Sequence, residues 1–250
     1  MSSAVKISRT SIRRLIRDVK DLISTPLTQH GIHYQHDDED VLRGRALIIG
    51  PKGTPYAGGF YLFDLAYPHD YPHRPPVVTF RTNDGKTRMN PNLYKCGKVC
   101  VSILNTWQGD AWTGCQTIST VLLALVSLLN TNPLLNEPGV APTNPDCRTY
   151  NRIIAYKNVE VAMRMVLTNE YIRSQFSPFV RTMESSFLET FDDTVEALRA
   201  ADGECDPRTT LATGVYRLRV QPDYKGTIAA MFMLRDHIAA PAISEGLSRN

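Results

Sequence analysis

The chain has 250 residues, 42% hydrophobic and 21% charged, with a formal net charge of +3, so it is long enough for one main domain plus an extension and too weakly basic to argue for nucleic acid. Its longest predominantly apolar run, Val121 to Leu129, falls well short of the roughly 18 to 20 residues that cross a bilayer. No charged segment followed by an apolar one opens the chain, so no membrane association is expected, and cytoplasm or nucleus is the expected compartment.

Ser8 or Thr10 is placed to cap a first helix whose apolar positions Ile12, Leu15, Ile16, Val19, Leu22 and Ile23 follow a 3 and 4 spacing, with Pro26 ending it. The other face carries Arg9, Arg13, Arg14, Arg17 and Lys20, either a solvated face or a dock for an acidic partner. Strands are predicted over Gly31 to Tyr34, Leu42 to Ile49, Gly59 to Leu65 and Val77 to Arg81, and the short turns between them imply an antiparallel meander. In Tyr67 to Pro76, each proline fixes its own φ and pushes its predecessor towards extended geometry, which makes a stiff connector.

A mostly irregular stretch from Asn90 to Leu104 comes next, then a loop from Asn105 to Gly114 that holds Trp107 and Trp112. Gln116 to Asn130 is apolar nearly all round and reads as a buried core helix. Thr149 to Leu167 reads as a helix with Ile153, Ile154, Val161, Met165 and Val166 inward. Beyond it, Phe187, Leu188, Phe191, Val195 and Leu198 share one helical face, Asp202-Gly203 breaks the pattern, and Ile228, Met231, Phe232 and Ile238 mark a last helix.

The chemistry centres on Cys100, eight positions after Asn92 of an Asn-Pro-Asn turn. Thiolates carry acyl groups as thioesters, and an amide N–H can stabilise the oxyanion of the tetrahedral intermediate. Taken alone, Cys100 between two valines also fits a buried structural thiol. The five cysteines lack a CxxC pair, which disfavours a disulfide framework, and Cys96, Cys100 and Cys115 have irregular spacing for a metal. A Cys-His hydrolase would need an imidazole, and the six histidines lie before residue 74 or at His237.

Tyr71-Pro72-His73-Arg74-Pro75-Pro76, Asn90-Pro91-Asn92, Gly97 to Leu104, Trp112 and Asn136-Glu137-Pro138 resemble, in order and spacing, the ubiquitin-conjugating (E2) enzymes. The long loop Thr106 to Trp112, the Asn132-Pro133 and Asn136-Glu137-Pro138-Gly139 pair, and Met183 to Glu189 are similar to the large type Z subgroup. The likeness covers roughly residues 9 to 200 and departs from the family at Asn90, where a histidine is usual, at His73 and at Gly114.

What the resemblance implies is an α+β UBC-like fold with an N-terminal helix, a four-stranded antiparallel meander, an active-site loop, a core helix and C-terminal helices. Residues 1–168 would form the conjugating core and residues 169–250 a helical extension packed on it. Cys100 would take ubiquitin or a ubiquitin-like protein from an E1 activating enzyme and pass it to a lysine of a protein substrate, usually with an E3 ligase. Asn92 would stabilise the oxyanion or the loop, and Glu137 would orient the incoming lysine or help deprotonate it. No cofactor is implied, because ATP is used by the activating enzyme. The alternative is a non-catalytic ubiquitin-binding module of the same fold.

Overall fold

The computed structural model describes residues 7–206 and 208–240; the outer ends of both expected domains lie outside the described residues. Helix α1 (Arg9–Ser24) starts where the Ser8 side chain accepts from the Ser11 amide at 3.0 Å, satisfying one orphan donor of the first turn. Its buried face is Ser11, Leu15, Asp18, Val19 and Leu22, and the expected stripe is corrected: Ile16 and Ile23 are exposed at 42% and 68%. The cause is Asp18, which turns inward because the Tyr71 hydroxyl donates to its Oδ2 at 2.5 Å and Arg14 Nε to its Oδ1 at 2.8 Å. A carboxylate so partnered can be buried.

Strands β1 (Ile32–His36), β2 (Arg43–Ile49), β3 (Phe60–Ala66) and β4 (Val77–Phe80) form one antiparallel sheet in chain order. This is the expected meander, with no strand end shifted by more than two residues. Phe60, Tyr61, Leu62 and Phe63 of β3 are all fully buried because the sheet is covered on both faces. Tyr61, Phe63 and Leu65 point into one core with α1 and α2 (Ile118–Ser127), whereas Phe60, Leu62 and Leu47 of β2 point into a second core under the C-terminal helices. Helix α2 is shorter than expected at both ends. It begins at the Thr117/Thr120 capping box, and Leu128 and Leu129 continue only as bonded turns.

The helix expected from Thr149 runs as α3 (Asp146–Lys157), then a π-helical stretch Asn158–Met165, then a single turn α4 (Val166–Thr168). The wider π turns shift the inward face, so Met163 is buried and the expected Met165 is only half-buried. Asn158 joins this stretch to the sheet: its Oδ1 accepts from the Tyr61 hydroxyl at 2.6 Å and its Nδ2 donates to the Ala57 carbonyl at 2.9 Å. A Cβ on Gly59 would lie 1.9 Å from that Oδ1, which explains the glycine.

Then come α5 (Glu170–Gln175), α6 (Val180–Glu189), α7 (Phe191–Gly203) and α8 (Tyr224–Ala239). The single apolar face expected from Phe187 to Leu198 is split between α6 and α7 at Thr190, which leaves Leu188 39% exposed while Phe187, Phe191, Val195 and Leu198 are buried. Between α7 and α8 a short antiparallel pair, β5 (Leu211–Ala212) and β6 (Arg219–Val220), packs Leu211 and Leu218 back into the first core. No helix among the described residues is long and apolar enough to cross a membrane.

Candidate active site

Asn90 is fully buried and organises the Asn-Pro-Asn turn from inside. Its Oδ1 accepts from the Asn92 amide at 2.9 Å, and its Nδ2 donates to the Tyr56 hydroxyl at 2.9 Å and the Leu128 carbonyl at 2.8 Å. The Tyr56 hydroxyl in turn donates to the Met89 carbonyl at 2.9 Å. An amide with one acceptor oxygen and two N–H protons thus satisfies all three contacts.

The chain reverses after Tyr94. Gly97 adopts φ +89° against β4, where a Cβ would stand 3.0 Å from the Phe80 carbonyl oxygen, and the Phe80 amide donates to the Gly97 carbonyl at 2.8 Å. The returning strand pairs Val99 with Leu93 and brings Cys100 beside Asn92. The Cys100 amide donates to the Asn92 carbonyl at 2.9 Å, and the Asn92 side-chain Nδ2 donates to the Cys100 carbonyl at 2.7 Å. Asn92 is buried, and among the described residues its Oδ1 has no hydrogen-bond partner. One N–H of the Asn92 amide therefore holds the loop. Cys100 itself is only 1% exposed.

Downstream of Cys100, the Thr106 hydroxyl accepts from the Val101 amide at 3.0 Å and lies 2.9 Å from the Val99 carbonyl oxygen, so it grips the backbone on both sides of the cysteine. Asn105, with φ +57°, receives the Trp112 amide on its Oδ1 at 2.8 Å, and Trp112 Nε1 donates to the Pro72 carbonyl at 2.7 Å. The tryptophan is buried against Tyr71, ring centroids 5.9 Å apart, which fastens the loop to the proline-rich connector. Arg14 braces the far end, donating to the Gly114 carbonyl at 2.5 Å and the Gln116 carbonyl at 2.6 Å. One of the five basic residues read as a solvated or docking face is therefore an internal tie.

Glu137 sits one residue beyond Asn136, whose Nδ2 donates at 3.3 Å to the Leu128 carbonyl that Asn90 also uses. Its Oε2 accepts from the Tyr216 hydroxyl. Burial first, and then this bond to the carboxylate, push the Tyr216 phenol well above its ordinary range. The Arg88 guanidinium lies 3.3 Å from the Tyr94 ring centroid and 5.2 Å from that of Tyr216, and donates to the Asn90 and Pro91 carbonyls at 3.2 and 2.6 Å. Sequence reading missed Thr106, Arg88 and Tyr216. Tyr216 lies 79 positions from Glu137, and no local pattern links the two.

Among the described residues no histidine shares a hydrogen bond with Cys100, and no group of three or more His, Cys, Asp and Glu side chains could hold a metal ion. What the geometry assembles is a cysteine and an amide locked to each other, with a carboxylate loop tied to the same frame. Such a set suits acyl transfer through a thioester.

A family model described as ubiquitin-conjugating enzyme matches residues 14–155. The chain is 39% identical over 191 residues to ubiquitin-conjugating enzyme E2 Z of Xenopus tropicalis, covering 75% of this chain and 59% of that protein. It is 40% identical over 182 residues to the Homo sapiens protein of the same name, covering 72% and 50%. It is also 34% identical over 206 residues to probable ubiquitin-conjugating enzyme E2 25 of Arabidopsis thaliana, covering 76% and 31%. The chain thus spans 59% or less of the length of each of these relatives.

Proposed function

Because the chain belongs to the ubiquitin-conjugating enzyme (E2) family, we propose that Cys100 carries ubiquitin or a ubiquitin-like protein as a thioester between an activating enzyme and a lysine amine. The observation that supports this most is the reciprocal pair of bonds between Asn92 and Cys100, which sets an amide donor beside the nucleophile in the family's order and spacing. In the charging step Cys100 loses its proton, its sulfur bonds to the modifier's C-terminal carbonyl carbon, and the activating enzyme's cysteine leaves as a thiol. In discharge the lysine nitrogen attacks that carbon, the C–S bond breaks, and Cys100 departs as a thiolate while the amine's proton passes to a base or to water. Asn92 would hold the loop and face the oxyanion, and Glu137 would orient the lysine.

ATP would be consumed on the activating enzyme, so the chain needs only its own sulfur for the acyl group. An E3 ligase and lysine-bearing protein substrates complete the expected set of partners, and a cytoplasmic or nuclear setting supplies them. Residues 1–168 would be the charging unit, with the helices beyond 168 packed over the second face of its sheet, where Leu47, Phe60 and Leu62 share one apolar core with residues of α6, α7 and α8.

Incubation with activating enzyme, ATP and a modifier tests the reading. A heavier band that reducing agent removes is expected, kept by Cys96→Ser and Cys115→Ser and absent in Cys100→Ala. Normal charging of Cys100→Ala would sink the site assignment. No charging of the unaltered chain, beside a control enzyme that charges, would favour the binding module. A panel of activating-enzyme and modifier pairs identifies the modifier.

A further inference from the structure

We propose that Tyr216, delivered by the segment between α7 and α8, is a positioning residue for the transfer step that fixes the Glu137 carboxylate and the turn carrying Asn92; this rests on the conjugating-enzyme reading above. The contacts close a ring. Cys100 is bonded to Asn92, Asn92 to Asn90, and Asn90 to the Leu128 carbonyl shared with Asn136, the residue before Glu137. Glu137 Oε2 is bonded to Tyr216, whose ring faces the Arg88 guanidinium, and Arg88 donates to the carbonyls of Asn90 and Pro91. Only the Glu137–Tyr216–Arg88 part of the ring depends on the C-terminal segment.

That segment is built to hold Tyr216 in place. Tyr216 and Arg217 have φ of +62° and +51°, two consecutive left-handed non-glycine residues, a conformation that persists only where the surroundings impose it. The surroundings here are the β5–β6 pair, buried Leu211 and Leu218, the Thr213 hydroxyl donating to the Val215 carbonyl at 2.7 Å, and the Val215 amide donating to Asp146 Oδ2 at 2.7 Å. The Tyr216 ring also packs on Tyr150, centroids 6.1 Å apart, and the Tyr150 hydroxyl donates to the Arg88 carbonyl at 2.7 Å. With Oε2 taken by Tyr216, Glu137 Oε1 accepts no hydrogen bond from the described residues and is free for a lysine amine.

The test compares charging with single-turnover discharge to free lysine in the full chain. Tyr216→Phe keeps the ring against Tyr150 and Arg88 and removes only the hydroxyl. The lysine concentration for half-maximal discharge is expected to rise at least fivefold, while charging falls less than twofold and the thermal midpoint stays within a few degrees. Glu137→Gln, which removes the carboxylate charge that would meet the lysine, is expected to give the same pattern at least as strongly, and the double variant to be no worse than Glu137→Gln alone, because Tyr216 acts through that carboxylate. Discharge of Tyr216→Phe at wild-type lysine dependence overturns the inference and leaves the conjugating reading standing. Losses that multiply in the double variant, or equal slowing of charging and discharge, also overturn it. Unaltered protein that never charges overturns the reading of the site and this inference together.

Discussion

The Asn92 side chain donates to the Cys100 carbonyl at 2.7 Å while the Cys100 amide donates to the Asn92 carbonyl at 2.9 Å, so these two residues hold each other across the loop. Asn92→Ala removes a buried donor and leaves the Cys100 carbonyl unpaired, a cost of about 1 to 3 kcal/mol. Discharge to free lysine is expected to slow far more than charging, as read by single-turnover gels. Asn92→Asp, an acceptor facing a carbonyl, is expected to be less stable than Asn92→Ala in denaturant titration. Unchanged discharge in both variants would place Asn92 outside the transfer step.

Asn90 satisfies three buried groups at once: the Asn92 amide, the Tyr56 hydroxyl and the Leu128 carbonyl. Asn90→Ala is therefore expected to cost more than Asn92→Ala, with each group left unpaired worth about 1 to 3 kcal/mol. The check is the calorimetric melting temperature of the two variants side by side. A smaller drop for Asn90→Ala would mean that the turn is held chiefly by Arg88.

Arg14 and Tyr71 both serve the buried Asp18 carboxylate, and Arg14 also ties α1 to the loop at Gly114 and Gln116. Arg14→Ala strips a buried charge of its cationic partner, and about 3 kcal/mol is the expected loss. Tyr71→Phe removes one hydrogen bond and is expected to cost less. Equal unfolding midpoints for wild type and Arg14→Ala would contradict the role given to Arg14.

His33 and His36 are half-buried, and burial lowers the pKa of each below the ordinary imidazole value. At His36 the Tyr34 hydroxyl lies 2.7 Å from Nδ1 and the Val41 carbonyl 3.0 Å from Nε2, a pairing that suits a neutral ring carrying its proton on Nε2. The unfolded chain then binds protons more tightly than the folded one. The stabilisation is complete above the unfolded value of about 6.5 and is lost as pH falls through the depressed folded values. Thermal stability is expected to fall on acidification from about pH 7.5 to 5.5, and replacing both histidines with Gln is expected to flatten that slope. An identical slope in the double variant would assign it to other groups.

Much of this was legible in the sequence because it is periodic or local. The alternation and turn residues from Ile32 to Phe80 give the meander to within two residues. The apolar run after Thr117 gives the core helix. Errors arose where a polar side chain overrides the apolar pattern. Asp18 turns α1 so that Ile16 and Ile23 face out, and π geometry after Asn158 exchanges Met165 for Met163 in the core.

The candidate site divides the same way. The closeness of Asn92 and Cys100 was legible in the chain, because the turn that pairs them spans only eight residues, whereas the resemblance to the conjugating family was needed to prefer Cys100 over a buried thiol and to single out Glu137. What the chain could not reveal is what surrounds them. Asn90 in the usual histidine's place finds its partners on Tyr56 and Leu128, Thr106 grips both sides of the cysteine, and Tyr216 reaches Glu137 from 79 positions away. Contacts of that range depend on how separate elements pack, through burial of Leu211 and Leu218 and the left-handed turn at Tyr216, and only the tertiary structure decides them.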